Sequence, residues 1–172
     1  MTFFKSKAEN IILSNNIENT GDSGFRECTN LKEIKIPSRV KSIGSYAFNE
    51  CTNLNSVSLP EGLIEIKNNA FNKCTNLENI NFPKTLYKIN SYAFSECTSL
   101  ENITIYNGLK ILGDYSFNRC TNLNNINIPY EFVRVGTNAF YGVKNSKING
   151  IRYDYQNFYT TKNNIPKIVF NN

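Results

Sequence analysis

The hydrophobic positions of this chain repeat with a period of 23 residues. Within each period a leucine is followed by two apolar residues that have one polar residue between them, and this alternation predicts a short strand. Proline ends most of these strands, because it has no N–H to give to a neighbouring strand. Two further apolar residues, three apart, predict a second short extended segment. In the first regular unit these positions are Leu31, Ile34, Ile36, Val40 and Ile43.

Each unit also carries an alanine and a phenylalanine shortly before a cysteine. The cysteines are Cys28, Cys51, Cys74, Cys97 and Cys120, and Phe25, Phe48, Phe71, Phe94 and Phe117 precede them by three residues. We expect the stretch around the Ala-Phe pair, 45–51 in the first complete unit, to form a helical or 3₁₀ turn. A unit this short cannot bury its own apolar side chains, so successive units must stack. Equivalent strands then run in one direction, and the pattern predicts a mainly β solenoid with a parallel sheet.

We interpret residues 1–172 as a single repeat domain. Residues 1–27 form a degenerate N-terminal unit, in which Lys5 occupies the cysteine position, and residues 28–142 form five regular units. Residues 143–172 form a C-terminal cap or tail that is rich in aromatic and basic side chains. Two interpretations of it stay open: it covers the last coil of the core, or it docks a partner.

The cysteines allow three interpretations. Free cysteine is well suited to a buried core, and we favour this interpretation. Disulfides between adjacent coils are within bonding range, although five thiols would leave one unpaired. Metal binding needs clustered ligands such as C-x₂-C, and the sequence has no such spacing. The Thr-Asn pairs that follow most cysteines present a similar choice, and we favour hydrogen bonds to nearby backbone over a ligand site.

Composition and charge exclude several classes of function. The chain has no histidine, which removes the commonest general base and the commonest metal ligand. The net charge is +5, but most of the excess lies after residue 139, so we expect no nucleic-acid partner. No apolar run is long enough for a signal peptide or a membrane span, so we expect no direct membrane insertion. We predict no catalytic residues, no cofactor, no metal and no enzymatic activity.

The segment from Cys28 to Cys51, CTNLKEIKIPSRVKSIGSYAFNEC, resembles the BspA-type leucine-rich repeat. The resemblance covers about residues 8–143 and departs at Lys67 and Asn90, where other units have glycine. It implies an α/β leucine-rich-repeat solenoid, a right-handed coil with a parallel sheet on one face and short helical turns. It also implies a non-catalytic binding module, secreted or on the cell surface, that adheres to a protein or glycan. The alternative is a structural or scaffold segment of a longer repeat array, with no ligand of its own.

In leucine-rich repeats the exposed face of the sheet is the usual docking surface. The residues five and seven after each cysteine alternate away from the core and form the candidate binding face: Glu33, Lys35, Ser56, Ser58, Asn79, Asn81, Asn102, Thr104, Asn125 and Asn127. This set has no Tyr, Trp or Arg, which dominate protein hot spots. Its flat area is on the order of 400 Å², against about 800 Å² for one side of a standard interface. We therefore predict weak monovalent binding that gains strength from several copies or a longer array.

Overall fold

The computed structural model describes residues 2–128, 134–143 and 147–149, the last three as a backbone strand. Over these residues the chain forms eleven strands of two or three residues, and each of the five coils from β1 to β10 contributes two of them. The first strands of the coils are β1 (Glu33–Lys35), β3 (Ser56–Ser58), β5 (Asn79–Ile80), β7 (Asn102–Thr104), β9 (Asn125–Asn127) and β11 (Lys147–Asn149). The second strands are β2 (Ser42–Ile43), β4 (Glu65–Ile66), β6 (Lys88–Ile89), β8 (Ile111–Leu112) and β10 (Arg134–Val135).

The strands form two parallel sheets. The first sheet has the order β1-β3-β5-β7-β9-β11, and the second has the order β10-β8-β6-β4-β2. Each strand pairs with its equivalent one coil away, as where Ile34 lies opposite Val57 and Ile43 lies opposite Ile66. The predicted parallel solenoid is therefore confirmed. The second extended segment also pairs from coil to coil, and it builds a sheet of its own.

The core consists of columns in which one repeat position recurs from coil to coil. The largest column is a stack of phenylalanine rings that runs from Phe3 to Phe140. Its neighbouring ring centroids lie 4.9 to 5.6 Å apart, and the planes are within 13° of parallel. Alanine and cysteine columns flank it and are buried throughout. The strand spacing of a parallel sheet is close to 4.8 Å, so the rings stack in step with the strands.

The prediction of short helical turns is wrong for the residues that the structure describes. The stretch Gly44 to Cys51 forms consecutive turns in which Tyr46 and Glu50 have positive φ, at 57° and 60°. The N–H groups of Ala47, Asn49 and Cys51 bond three residues back. The intervening N–H groups, such as that of Phe48, bond to the next coil. A helix would use every N–H within its own segment, so pairing with the next coil replaces it.

The degenerate N-terminal unit forms a first coil. Asn10 makes a parallel bridge to Glu33, and Asn19 makes one to Ser42, so this unit extends both sheets by one bridge. At the other end, β11 pairs with β9 in register Lys147 to Asn125. The two interpretations of the C-terminal cap or tail concern residues 143–172, of which 144–146 and 150–172 lie outside the described residues, so both stay predictions. No helix among the described residues is long and apolar enough to cross a bilayer.

Close backbone approach explains the glycine at one repeat position. A Cβ on Gly113 would lie 2.4 Å from the Ser91 backbone nitrogen, and one on Gly136 would lie 2.4 Å from that of Asp114. Because glycine has no Cβ, the backbone can run in close contact with the preceding coil at the point where it leaves the second sheet. Lys67 takes the same repeat position in another unit.

Candidate binding face

The ten predicted binding residues all lie exposed on one side of the first sheet. In β1, for example, Glu33 and Lys35 point outward on either side of the buried Ile34, and the same exposed-buried-exposed pattern recurs in β3, β7 and β9. In β5 the sequence continues with Asn81, which is also exposed. The outward side of this sheet, hereafter the strand face, therefore brings the whole predicted set together.

Amide side chains on the strand face partly bond to one another. The Asn125 amide donates from Nδ2 to Oδ1 of Asn102 over 2.8 Å. Such a pair leaves each side chain with unused donors or acceptors on its outer side, because an amide has two of each. This bond joins the exposed side chains of β7 and β9.

The Thr-Asn pairs have the structural role that we favoured. Asn76 donates from Nδ2 to Oδ1 of Asn53 over 3.4 Å, and the Thr75 hydroxyl donates to the Thr52 carbonyl over 3.3 Å. The Thr98 hydroxyl donates in the same way to the Thr75 carbonyl. These bonds join consecutive coils just before the first strand, and they satisfy the turn by which the chain enters it.

A groove of about 700 Å³ occupies the N-terminal end of the strand face. It contains two side chains that the sequence analysis did not include, Asn10 and Ile12, beside Glu33 and Lys35. The Ile12 side chain is 94% exposed, the highest exposure among the large apolar residues that the structure describes. The repeat period could have identified Ile12 as an outward-facing residue, because Ile12 lies one 23-residue period before Lys35. The weak match of the first unit to the repeat concealed it.

An ion pair is formed by the residues that directly precede Asn10 and Glu33 of this groove. The Lys32 ammonium lies 2.8 Å from a carboxylate oxygen of Glu9. Its hydrogen bond and charge hold the pKa of the Glu9 carboxyl below the usual value. Glu33 and Lys35 add one charge of each sign to the lining itself. The N-terminal groove therefore combines an apolar wall, at Ile12, with charges of both signs.

The cysteines are free and buried. Each thiol donates to the carbonyl of a phenylalanine in the preceding coil, as where Cys97 Sγ lies 3.1 Å from the Phe71 oxygen. Burial raises the pKa of the Cys74, Cys97 and Cys120 thiols well above the usual value. Cys28 differs, because the neighbouring Cys51 thiol holds the pKa of Cys28 below its usual range. A buried, protonated thiol is a poor nucleophile, so the inner cysteines serve the core.

No metal centre stands out in the part of the chain that the structure describes. There, no three Cys, Asp or Glu side chains come together as metal ligands. A groove of about 580 Å³ lies on the second sheet and includes Asp114 and Arg134. The Asp114 carboxylate of this groove already accepts a hydrogen bond from the Thr137 N–H, at 2.7 Å from Oδ1.

The two parallel sheets, the stacked core and the uninterrupted strand face define a solenoid repeat protein of the leucine-rich type. The chain belongs to the BspA-type leucine-rich repeat family, whose profile matches six copies over residues 1–108 and 87–172. Proteins with this fold generally act in protein interactions or as scaffolds. No curated protein matches the chain.

Solved structures are similar to the chain over most of its length. A leucine-rich repeat protein of T. pallidum superposes with a TM-score of 0.78 at 30% identity, over 96% of this chain and 74% of that one. A leucine-rich repeat protein of Bacteroides ovatus gives 0.70 at 33% identity, over 84% of this chain and 43% of that one. A leucine-rich cell surface protein of Faecalibacterium prausnitzii gives 0.64 at 31% identity, over 66% and 30%.

Proposed function

We propose that this protein is a non-catalytic binding module that docks a partner protein on its strand face, centred on the N-terminal groove. The observation that carries the proposal is the nearly complete exposure of Ile12 inside a concave, mixed-charge surface. Protein interfaces place apolar groups beside polar ones, and Ile12 shares the groove with Asn10, Glu33 and Lys35. The rest of the strand face supplies a flat polar margin.

The strand face is small for a strong interface. With one parallel spacing of about 4.8 Å per coil, its flat area reaches only about half of what one partner contributes to a standard interface. We therefore expect a single copy to bind weakly, and several copies on one surface to bind firmly through avidity. This favours adhesion at a cell surface as the biological setting. The similarity to a F. prausnitzii cell surface protein supports the same setting.

The experiment measures binding of the monomeric protein to a panel of purified extracellular-matrix proteins by biolayer interferometry. Ile12→Ala should weaken any interaction about tenfold, because a buried apolar anchor of this size contributes on the order of 1.5 kcal/mol. Ile64→Ala is the matched control, since Ile64 is also exposed but lies beside the second sheet. Equal binding by both variants, or submicromolar affinity from the monomer, would contradict docking at the groove.

A glycan is the alternative ligand of the same face. The amide row from Asn79 to Asn127 suits hydroxyl-bearing ligands, because each amide offers both donors and acceptors. On a glycan array, Asn79→Ala with Asn102→Ala should then reduce binding, whereas Ile12→Ala should not. Absence of any interaction in either assay would favour the scaffold role, in which the coils only space other parts of a longer array.

A further inference from the structure

The two sheets of the solenoid differ in charge. Seven cationic side chains and two carboxylates lie in the segments that form the second sheet and the loop before it, 38–44, 61–67, 84–90, 107–113 and 134–136. Two cationic side chains and three carboxylates lie in the matching segments of the first sheet, 30–36, 53–59, 76–82, 99–105 and 122–128. The cations beside the second sheet are all at least partly exposed: Arg39, Lys41, Lys67, Lys84, Lys88, Lys110 and Arg134. This side of the molecule therefore attracts anions.

The groove of about 580 Å³ on the second sheet lies on this basic side. Two of its lining residues, Gly113 and Gly136, occupy a repeat position that Lys67 holds in an earlier coil. The space that a longer side chain would fill is therefore open above two successive coils. We define the site, hereafter the basic groove, by six of its lining residues: Lys88, Ile111, Gly113, Asp114, Arg134 and Gly136.

Part of the basic groove is formed by one column of the second sheet. Lys88 pairs with Ile111, and Ile111 pairs with Arg134, each in the neighbouring coil. The Cα atoms of the two cationic residues are therefore two strand spacings apart, about 10 Å. Ile111 places an apolar side chain between them. The column thus has the order cation, apolar residue, cation along the axis of the solenoid.

The charges of this column are only partly balanced. The Lys88 ammonium lies 3.6 Å from Oε1 of Glu65, which also accepts a hydrogen bond from the Asn90 amide over 2.7 Å. Among the described residues, no carboxylate lies within ion-pair distance of the Arg134 guanidinium. Arg134 is therefore available to bind an anion from outside the chain, and its planar guanidinium suits a carboxylate.

Asp114 adds a hydrogen-bond acceptor to the same groove. Its carboxylate lies close to the backbone of Gly136, because a Cβ on that glycine would be only 2.5 Å from Oδ1. Oδ1 accepts the Thr137 N–H, and Oδ2 stays available for a second donor. A ligand of this groove should therefore carry anionic groups for the cations and a neutral donor, such as a hydroxyl, for Asp114.

A chain of acidic sugars fits this arrangement better than an acidic peptide. A 1,4-linked pyranose unit advances its chain by about 5 Å, given ordinary C–C and C–O bond lengths, so one sugar meets each coil. In a flat ribbon the carboxylates of alternate sugars lie on one side, about 10 Å apart, which is the spacing of Lys88 and Arg134. Residues on one side of an extended peptide are about 7 Å apart and lose register with the coils. Ionised acidic side chains also have no donor for Asp114.

We propose that the basic groove binds a polyuronate, a polysaccharide with one carboxylate on each sugar, along the axis of the solenoid. Carboxylates of alternate sugars pair with the Arg134 guanidinium and the Lys88 ammonium. The sugar between them lies against Ile111, and a hydroxyl donates to Asp114 Oδ2. The site is separate from the strand face, because its strands belong to the other sheet, and it does not depend on the function proposed for that face.

The test is isothermal titration calorimetry of the purified chain, at low ionic strength, with hexamers of β-1,4-linked mannuronate, β-1,4-linked mannose and end-blocked glutamate. The two sugars share ring and linkage and differ in the carboxylate, whereas the peptide has the charge of the mannuronate with a different spacing. We expect the mannuronate hexamer to bind, and the mannose and glutamate hexamers to bind at least about tenfold more weakly. Added salt should weaken the mannuronate complex, because its ion pairs are exposed to solvent.

Variants of the column locate the binding. Arg134→Gln should weaken mannuronate binding about tenfold, because the paired hydrogen bonds of a guanidinium to a carboxylate are lost. Arg39→Gln is the matched control, since Arg39 is exposed beside the same sheet but lies outside the groove and pairs with Glu18 at 3.5 Å. Ile111→Glu gives a second measurement and should abolish binding, because it puts a carboxylate between the two cations. The fold should tolerate this change, since Glu65 already occupies the same column in β4.

Asp114→Asn separates recognition of a sugar from general attraction of anions. The asparagine keeps an oxygen for the Thr137 N–H but removes the negative charge, so a ligand that responds only to charge should bind this variant more tightly. A polyuronate that donates a hydroxyl to Asp114 should bind it about threefold more weakly, because a carboxylate is the stronger acceptor.

Several results would overturn the proposal. They are the absence of mannuronate binding, equal binding of the mannose or glutamate hexamer, equal losses from Arg39→Gln and Arg134→Gln, or mannuronate binding that Asp114→Asn does not weaken. Tighter binding of the glutamate hexamer would identify the groove as a site for acidic protein segments instead. Ile12→Ala should leave mannuronate binding unchanged, so the outcome here is distinct from the outcome for the strand face.

Discussion

The substitution Phe71→Leu tests whether the stacked rings stabilise the solenoid beyond ordinary burial. Phe71 is fully buried and stacks on Phe48 and Phe94, with centroids 5.2 and 5.1 Å away. Each aromatic pair contributes about 0.5–1.5 kcal/mol beyond the area that it buries. Losing two pairs, together with an imperfect fit of leucine in the same space, should lower the free energy of unfolding by about 3 kcal/mol.

The matched control is Phe3→Leu, at the N-terminal end of the stack. Phe3 is only half-buried, and among the described residues its one ring partner is Phe25, at 5.2 Å. The same exchange there should cost about 1 kcal/mol, because one pair is lost instead of two. The two positions thus differ in the number of ring neighbours and in burial, but not in chemistry.

Urea unfolding followed by circular dichroism measures both costs. Phe71→Leu should also lower the melting temperature by about 6–12 °C, given about 2–4 °C per kcal/mol for a chain of this size. If both variants lose the same free energy, within about 0.5 kcal/mol, the stack contributes nothing beyond burial and the reasoning fails. A change in the urea m-value would instead show that the coils no longer unfold together.

Two further predictions concern the backbone contacts and the thiols. Gly113→Ala should cost about 2 kcal/mol in urea unfolding, because its Cβ would meet backbone atoms of Ser91 at 2.4 Å. Gly62→Ala should change little, since only the flexible Lys41 Nζ stands in the way, and equal costs would refute the contact argument. Burial raises the pKa of Cys97 above its usual value near 9. The protonated thiol therefore contributes fully to the free energy of unfolding below pH 9, and this contribution is lost as the pH rises further. The free energy of unfolding should then fall by about 1.4 kcal/mol per pH unit for this thiol, and Cys97→Val should remove that part of the slope; an unchanged slope would refute it.

The stacking of the fold could be predicted from the sequence because one period determines every coil. Once Ile34 is assigned to the core, Val57 and Ile80 follow at the same position, and the structure buries all three. The exposed positions between them follow by alternation, which is why the ten predicted residues of β1 to β9 lie exposed on the strand face. A repeat of 23 residues from Asn10 to Asn125 leaves little freedom in the pairing of the strands.

The turns could not be predicted in the same way, because their conformation depends on the neighbouring coil. The residues with positive φ include Tyr46, Glu50 and Lys73, and none of them is the glycine that usually signals this conformation. Each is held there by a hydrogen bond to a carbonyl that lies 22 residues away, as between Tyr46 and Asn68. A local pattern of alanine and phenylalanine therefore predicted a helical turn. Ile12 was missed for a different reason, because its unit matches the repeat weakly.

The alternating hydrogen bonds of the turns have a mechanical consequence. Every coil is joined to the next by parallel strands and by every second N–H of the turn, and these bonds all run along the axis of the solenoid. A force that pulls on the two ends of the chain therefore acts first on the hydrogen bonds of the outermost coil, which break one after another. Each 23-residue coil that comes free releases about 80 Å of extended chain, while the stack shortens by only about 5 Å. The protein would therefore lengthen under tension in nearly equal steps, one coil at a time, instead of unfolding in a single event.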